Sequence, residues 1–189
     1  MDRRLPRDDD GLAPDRRLAV AAHIAGSRSG RNRRPAVRTV ERRVYVRAAP
    51  RAVWTTLHDP TAAASLFPEL TLDPAAPSWP AAGSVRSGEI RLGLLRTAVR
   101  VESLAARPQS TFEIAVTAAG FAIGWRWQME PIAGGTRVIH EGSFETTDRW
   151  TGVLIRIGRE SIGSLAEDHL RNLKTRAESA PEVETGPAA

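Results

Sequence analysis

A chain of 189 residues with five tryptophans, no cysteine and a formal net charge of +5 is long enough to build one domain around its own core. The missing cysteines exclude disulfide frameworks, thiolate zinc sites and cysteine nucleophiles. No apolar run approaches the ~18 to 20 residues that span a bilayer, so the expectation is a soluble, cytoplasmic protein. The charge is uneven, with 13 Arg against 6 acids in residues 1–47 and 14 basic against 16 acidic side chains in residues 48–189. The basic balance therefore belongs to the start of the chain and not to the part that folds.

Residues 1–38 have the composition of a disordered basic arm, MDRRLPRDDDG and then SRSGRNRRP, with too little apolar surface to offset the entropy of ordering. Within it, Arg16 and Arg17 precede a short apolar run in the manner of an export signal, but His23 interrupts the run and no small-residue cleavage site follows. Arg28, Arg31, Arg33, Arg34 and Arg38 lack interleaved aromatics, which leaves non-specific phosphate contact but no specific nucleic-acid partner.

From Thr39 the pattern alternates, with Val44, Val46 and Ala48 on one face and Arg43, Tyr45 and Arg47 on the other, which predicts a half-buried strand. Pro50 is placed for the first turn of a helix over 50–58, and Asp59-Pro60 ends it. A second short helix is expected over 61–67. The stretch 68–82, with Pro68, Pro74, Pro77 and Pro80 around Trp79, reads as a loop or edge strand. Strands are predicted near 84–92, 95–105, 110–118, 121–131 and 136–146, separated by turn signals at short intervals, the rhythm of an antiparallel sheet. Period two aligns Phe121, Ile123, Trp125, Trp127 and Met129 on one face of the fourth of these, and likewise Phe112, Ile114 and Val116, and Val138, His140, Gly142 and Phe144.

After Asp148 the period becomes helical to about Glu178, with Trp150, Leu154, Ile157, Ser161, Leu165 and then Asp168 or His169 at i, i+3 and i+4 spacing. Such a helix of roughly 28 residues is ~42 Å long and crosses a whole sheet. Gly158 and Gly163 inside it suggest close packing or space left for something else. Residues 179–189 read as a disordered tail.

A strand, two short helices, a run of antiparallel strands and one long C-terminal helix make the α+β helix-grip fold, a curved sheet of about six to seven strands wrapped around the last helix. The segment VYVRAAPRAVWTTLHDP at 44–60, the hairpin exit GGTRV at 134–138 and the amphipathic SLAEDHLRNLKTRAE at 164–178 resemble the SRPBCC (START-like or Bet v 1-like) superfamily, within it the polyketide cyclase/dehydrase group, over residues 39–178. The resemblance implies a cavity between sheet and helix that takes lipids, polyketides or other apolar ligands. It does not name a reaction, because fold-level analogy does not settle function.

His140 is the foremost polar residue on the apolar face, with an unperturbed pKa of ~6.5 suited to acid–base work, or else a buried histidine satisfied by its neighbours. Phe112, Ile114, Phe121, Ile123, Trp125, Trp127, Val138 and Phe144 of the sheet and Leu154, Ile157, Ser161 and Leu165 of the helix form the expected ligand wall, although most of these would serve equally as core. Arg126 and Gln128 fall on the solvated face. Arg100, alternating with Glu102 opposite Val99 and Val101, is a catalytic candidate only if the strand turns its other side inward. Asp168 facing His140 would make an acid/base couple.

No GxGxxG, P-loop, HExxH or G-x-S-x-G is present, and His23, His58, His140 and His169 form no i, i+4 ligand pair. Neither metal nor cofactor is expected. Three functions follow: binding of a small hydrophobic molecule, a polyketide cyclase/dehydratase activity in the same cavity, or a protein-interaction role for the basic arm.

Overall fold

In the computed structural model the described residues are 38–59, 61–74, 78–146 and 151–180, and for Arg38 and residues 151–160 the description extends to the backbone only. The predicted arm, Trp150 and most of the predicted tail lie outside these residues.

Alternating sequence becomes strand wherever one face can be buried. The elements are β1 (Arg38–Val46), α1 (Pro50–His58), α2 (Ala63–Leu66), β2 (Leu70–Leu72), β3 (Val85–Leu92), β4 (Leu95–Arg107), β5 (Thr111–Ala118), β6 (Phe121–Ile132), β7 (Gly135–Thr146) and α3 (Thr151–Ser179). The strands form one antiparallel sheet in the order β1-β7-β6-β5-β4-β3-β2. Register sets Trp127 opposite His140, Trp125 opposite Gly142 and Ile123 opposite Phe144, so the alternation of β6 and β7 lays one continuous inner face. α3 packs on that face against β7 and β1, and α1 and α2 close one end. This is the expected helix-grip fold, with seven strands.

Pro50 occupies the first turn of α1, where a missing N–H costs nothing. The turn after α1 is held by Asp59, whose Oδ1 accepts from the backbone and the hydroxyl of Thr61 at 2.8 and 2.7 Å. The second short helix is confined to Ala63–Leu66, and the proline-rich stretch contributes the three-residue β2. Such a short edge strand limits pairing with other chains. The opposite edge is blocked by α3: Lys174 Nζ donates to the Tyr45 carbonyl at 2.6 Å and the Arg47 N–H donates to Glu178 Oε1 at 2.7 Å.

The buried stripe of α3 is Ile162, Ala166, His169, Leu170, Leu173 and Ala177; of the predicted positions Ser161 and Leu165 lie one residue off it at its half-buried margin, and of the alternatives Asp168 and His169 it is His169 that faces inward. The helix rotates ~100° per residue, so that offset decides which polar group enters the core. Gly163 is not forced by packing, since a Cβ there would meet Arg42 Nη2 at an ordinary 3.5 Å. Packing does demand glycine at Gly142 on β7, which lies against the indole of Trp125, and at Gly88 and Gly135, where a Cβ would run into the backbone of Thr71 and Val46. Among the described residues no helix is long and apolar enough to cross a membrane.

Candidate functional site

Three elements deliver polar groups to one buried line. Glu69 follows α2 directly, His140 lies mid-strand on β7, and His169 lies on the inward stripe of α3; all three are buried, His140 completely. His140 Nδ1 lies 3.1 Å from the Arg126 carbonyl, His140 Nε2 lies 3.2 Å from His169 Nδ1, and His169 Nε2 lies 2.7 Å from Glu69 Oε1. Aromatic rings wall the line. His140 stacks on Trp127 at 4.4 Å and on Trp125 at 4.9 Å, while Phe67 presents its edge to His169 at 4.9 Å.

Donor and acceptor chemistry orients every proton along this line. A carbonyl only accepts, so His140 Nδ1 carries a hydrogen and donates it to Arg126. Neutral His140 then presents a lone pair at Nε2, which accepts from His169 Nδ1–H. His169 Nε2 and Glu69 Oε1 therefore share one proton, either as imidazolium with carboxylate or as imidazole with carboxylic acid. Burial pushes His140 well below an ordinary imidazole and the facing His169 pushes it further, against the opposing bond to the Arg126 carbonyl.

The consequence for stability has a definite sign. The unfolded chain takes up a proton at His140 near pH 6.5 that the folded chain refuses, so stability is fully present above that pH and is lost as pH falls below it. His58, also lowered by desolvation, acts in the same direction. The slope from His140 approaches about 1.4 kcal/mol per pH unit, and His58 adds to it in the same sense. Urea unfolding at pH 7.5, 6.5 and 5.5 reads the slope, and ring-nitrogen NMR should find His140 still neutral with its proton on Nδ1 at pH 5.5. Titration of that ring near 6.5 would contradict the proton arrangement.

Most of the sequence-derived wall lies on the inner face. Phe112, Ile114, Phe121, Ile123, Trp125, Trp127, Val138, His140 and Phe144 are all buried there, with Phe112 stacked on Trp127 at 5.7 Å and Phe121 on Phe144 at 5.8 Å. Ser161 and Leu165 are half-buried on α3, and the side chains of Leu154 and Ile157 lie outside the described residues. Of the other two acid–base candidates, Arg100 keeps the side that alternation gave it and Asp168 needs correction. Arg100 is on the outer face, 3.4 Å from Glu102, because Val99 and Val101 claim the inner positions. Asp168 lies at the half-buried margin of the helix and turns its carboxylate out to Arg171 at 2.6 Å, so it forms no couple with His140; the next residue, His169, takes that place.

Sequence reasoning missed Glu69. The one available signal is an acid inside the apolar run Phe67-Pro68-Glu69-Leu70. Its Oε2 has no partner, and neither do Trp125 Nε1 and Trp127 Nε1 beside the line. No metal-binding group of side chains occurs among the described residues. Farther along α3, a cleft of about 290 Å³ opens between Arg91, Leu92 and Gly93 at the end of β3 and Ser161, Ser164 and Leu165.

The family model described as polyketide cyclase / dehydrase and lipid transport matches residues 37–178. No protein with a curated description matches the chain. Among solved structures, the aromatase/cyclase Zhui from Streptomyces sp. R1128 is 16% identical with a TM-score of 0.61, covering 75% of this chain and 94% of its own. The protein TTHA0849 from Thermus thermophilus is 17% identical with a TM-score of 0.61, over 74% and 97%. Ara h 8.0201 is 11% identical with a TM-score of 0.59, over 77% and 100%. At these identities the likeness is one of fold.

Proposed function

We propose that this chain, which belongs to the polyketide cyclase / dehydrase and lipid transport family of the SRPBCC superfamily, holds a small hydrophobic molecule between its sheet and α3 without transforming it. The observation that carries this reading is the state of the buried polar line. All four ring nitrogens of His140 and His169 are taken up by each other, by Glu69 and by the Arg126 carbonyl, which leaves no imidazole nitrogen to take a proton from a ligand. The line fastens sheet to helix, and Trp125 and Trp127 fill the space around it. The ligand then lies towards the other end of α3, over Phe121, Ile123 and Phe144, entering by the cleft beside Leu92 and Ser161. An apolar wall with few polar groups suits a lipid or polyketide.

Native mass spectrometry of the purified full chain tests this, with an adduct of small-molecule mass as the expected result. Uptake of an environment-sensitive apolar dye should fall about tenfold in Ser161→Trp, whose indole obstructs the cleft, a loss of about 1.4 kcal/mol in binding. A bare protein mass together with equal dye binding by both proteins would overturn the reading.

A cyclase or dehydratase acting in the same cavity is the second reading, favoured by one observation, the unpartnered Glu69 Oε2. That oxygen would be the acid or base, and Zhui, an aromatase/cyclase by its description, has the same fold. Turnover of an aromatisable poly-β-ketone by the wild type and its loss in Glu69→Gln would decide for it.

A further inference from the structure

The turn between β3 and β4 carries an apolar feature that the fold does not require. Leu92 and Leu95 close the hairpin as a cross-strand pair, leaving Gly93 and Leu94 as a two-residue loop. Gly93 adopts φ +60°, which suits the first loop position of a type II′ turn, and the second position accepts polar residues freely. Yet that second residue is Leu94, fully exposed at the apex, and Leu95 beside it is 36% exposed. The apices of the β4–β5, β5–β6 and β6–β7 turns carry Pro108-Gln109, Ala119-Gly120 and Ala133-Gly134 instead.

Charge frames the leucines. Arg91 and Arg96 lie directly opposite each other across the hairpin, an arrangement of like charges that weakens a sheet in water. Glu89 Oε1 lies 3.4 Å from Arg96, with both side chains exposed, and Arg91 has no carboxylate partner among the described residues. Two leucines at an apex with an arginine on each flanking strand match a bilayer surface, where the apolar tip enters the acyl boundary and the guanidinium groups meet anionic headgroups. The same turn forms one lip of the cleft, through Leu92 and Gly93.

We propose that the β3–β4 hairpin tip docks the protein on anionic lipid membranes, with Leu94 and Leu95 inserted and Arg91 and Arg96 on the headgroups. Only the idea that docking brings the ligand mouth to the bilayer rests on the function proposed above. Vesicle binding is measured without ligand, so its failure leaves ligand binding untouched, and the converse holds.

The test is sedimentation of the full chain with vesicles of phosphatidylcholine containing about 30% phosphatidylglycerol, and with vesicles of phosphatidylcholine alone. Partitioning of the Leu94→Ser/Leu95→Ser variant onto the mixed vesicles should fall at least about tenfold. Arg91→Gln and Arg96→Gln should each weaken binding to mixed vesicles about fivefold and leave binding to neutral ones unchanged. The arginine-rich start of the chain is common to all these proteins, so differences between them read the tip. Equal partitioning of wild type and the double serine variant would overturn the proposal. Sedimentation velocity without vesicles supplies the other adverse outcome, a wild-type dimer that the serine variant abolishes, which would make the tip a contact between two copies.

Discussion

Glu69→Ala is expected to lower the unfolding free energy by about 3 kcal/mol, because it strips the buried His169 Nε2 of its hydrogen-bond partner and leaves a hole where the carboxyl lay. His169 would then face an apolar hole at Nε2 while Nδ1 still donates to His140. Glu69→Gln is expected to cost only about 1 kcal/mol or less. The amide N–H can donate to His169 Nε2, giving an unbroken neutral chain from residue 69 through His169 and His140 to the Arg126 carbonyl. The contrast is the informative quantity, since a stability of about 5 to 15 kcal/mol is typical of a domain. Urea unfolding at pH 7.5, followed by the fluorescence of the buried tryptophans, measures both variants. Equal losses for alanine and glutamine would mean that the neutral chain does not form with an amide at this position and that the site requires the carboxyl itself and not merely its bulk.

Gly142→Ala is expected to cost about 3 kcal/mol, at the upper end of overpacking. A Cβ at this position would press into Cζ3 of Trp125 and lie 2.9 Å from its Cε3 and 3.1 Å from Cγ2 of Ile162. Trp125 cannot retreat easily, being stacked on His140 and set edge-on to His169 at 5.0 Å. Trp125→Leu has no atoms where the indole's outer ring lies, and alone it should cost about 3 kcal/mol through the cavity it leaves. Together the two changes should cost at least about 1 kcal/mol less than the sum of the single losses, as expected for residues in contact. Strict additivity would show that the strain falls on the backbone of β7 or on Ile162.

The sheet was legible from local pattern. A strand expected over 121–131 forms at Phe121–Ile132, and the helix expected over 50–58 forms at Pro50–His58, because period-two alternation, a first-turn proline and turn residues act over a few positions. Alternation likewise placed Arg100 opposite Val99 and Val101, and the outer face is where it lies. Where the signal thinned, the reading drifted. Four residues of helix occupy the stretch expected to hold seven, and β2 emerges within a proline-rich passage that was readable as either loop or edge. On α3 the apolar positions are diluted by Ala166 and by the glycines, so the inward stripe could be placed only to within one residue, which left Asp168 and His169 as alternatives and put Asp168 in the couple with His140.

What the sequence determined by itself is the order of the elements and the apolar side of each strand, both consequences of backbone periodicity and of turn chemistry that operate within ten or so residues. What only the tertiary structure decided is the polar line through the core. His140 and His169 are 29 residues apart in sequence, and Glu69 and His169 are 100 apart. Their meeting depends on the curvature of the sheet and on the rotation of α3 over it, and no periodicity in the chain encodes either. The same closure over the core leaves the four ring nitrogens engaged with protein groups, which turns the most reactive side chains of the inner face into a fastening between sheet and helix.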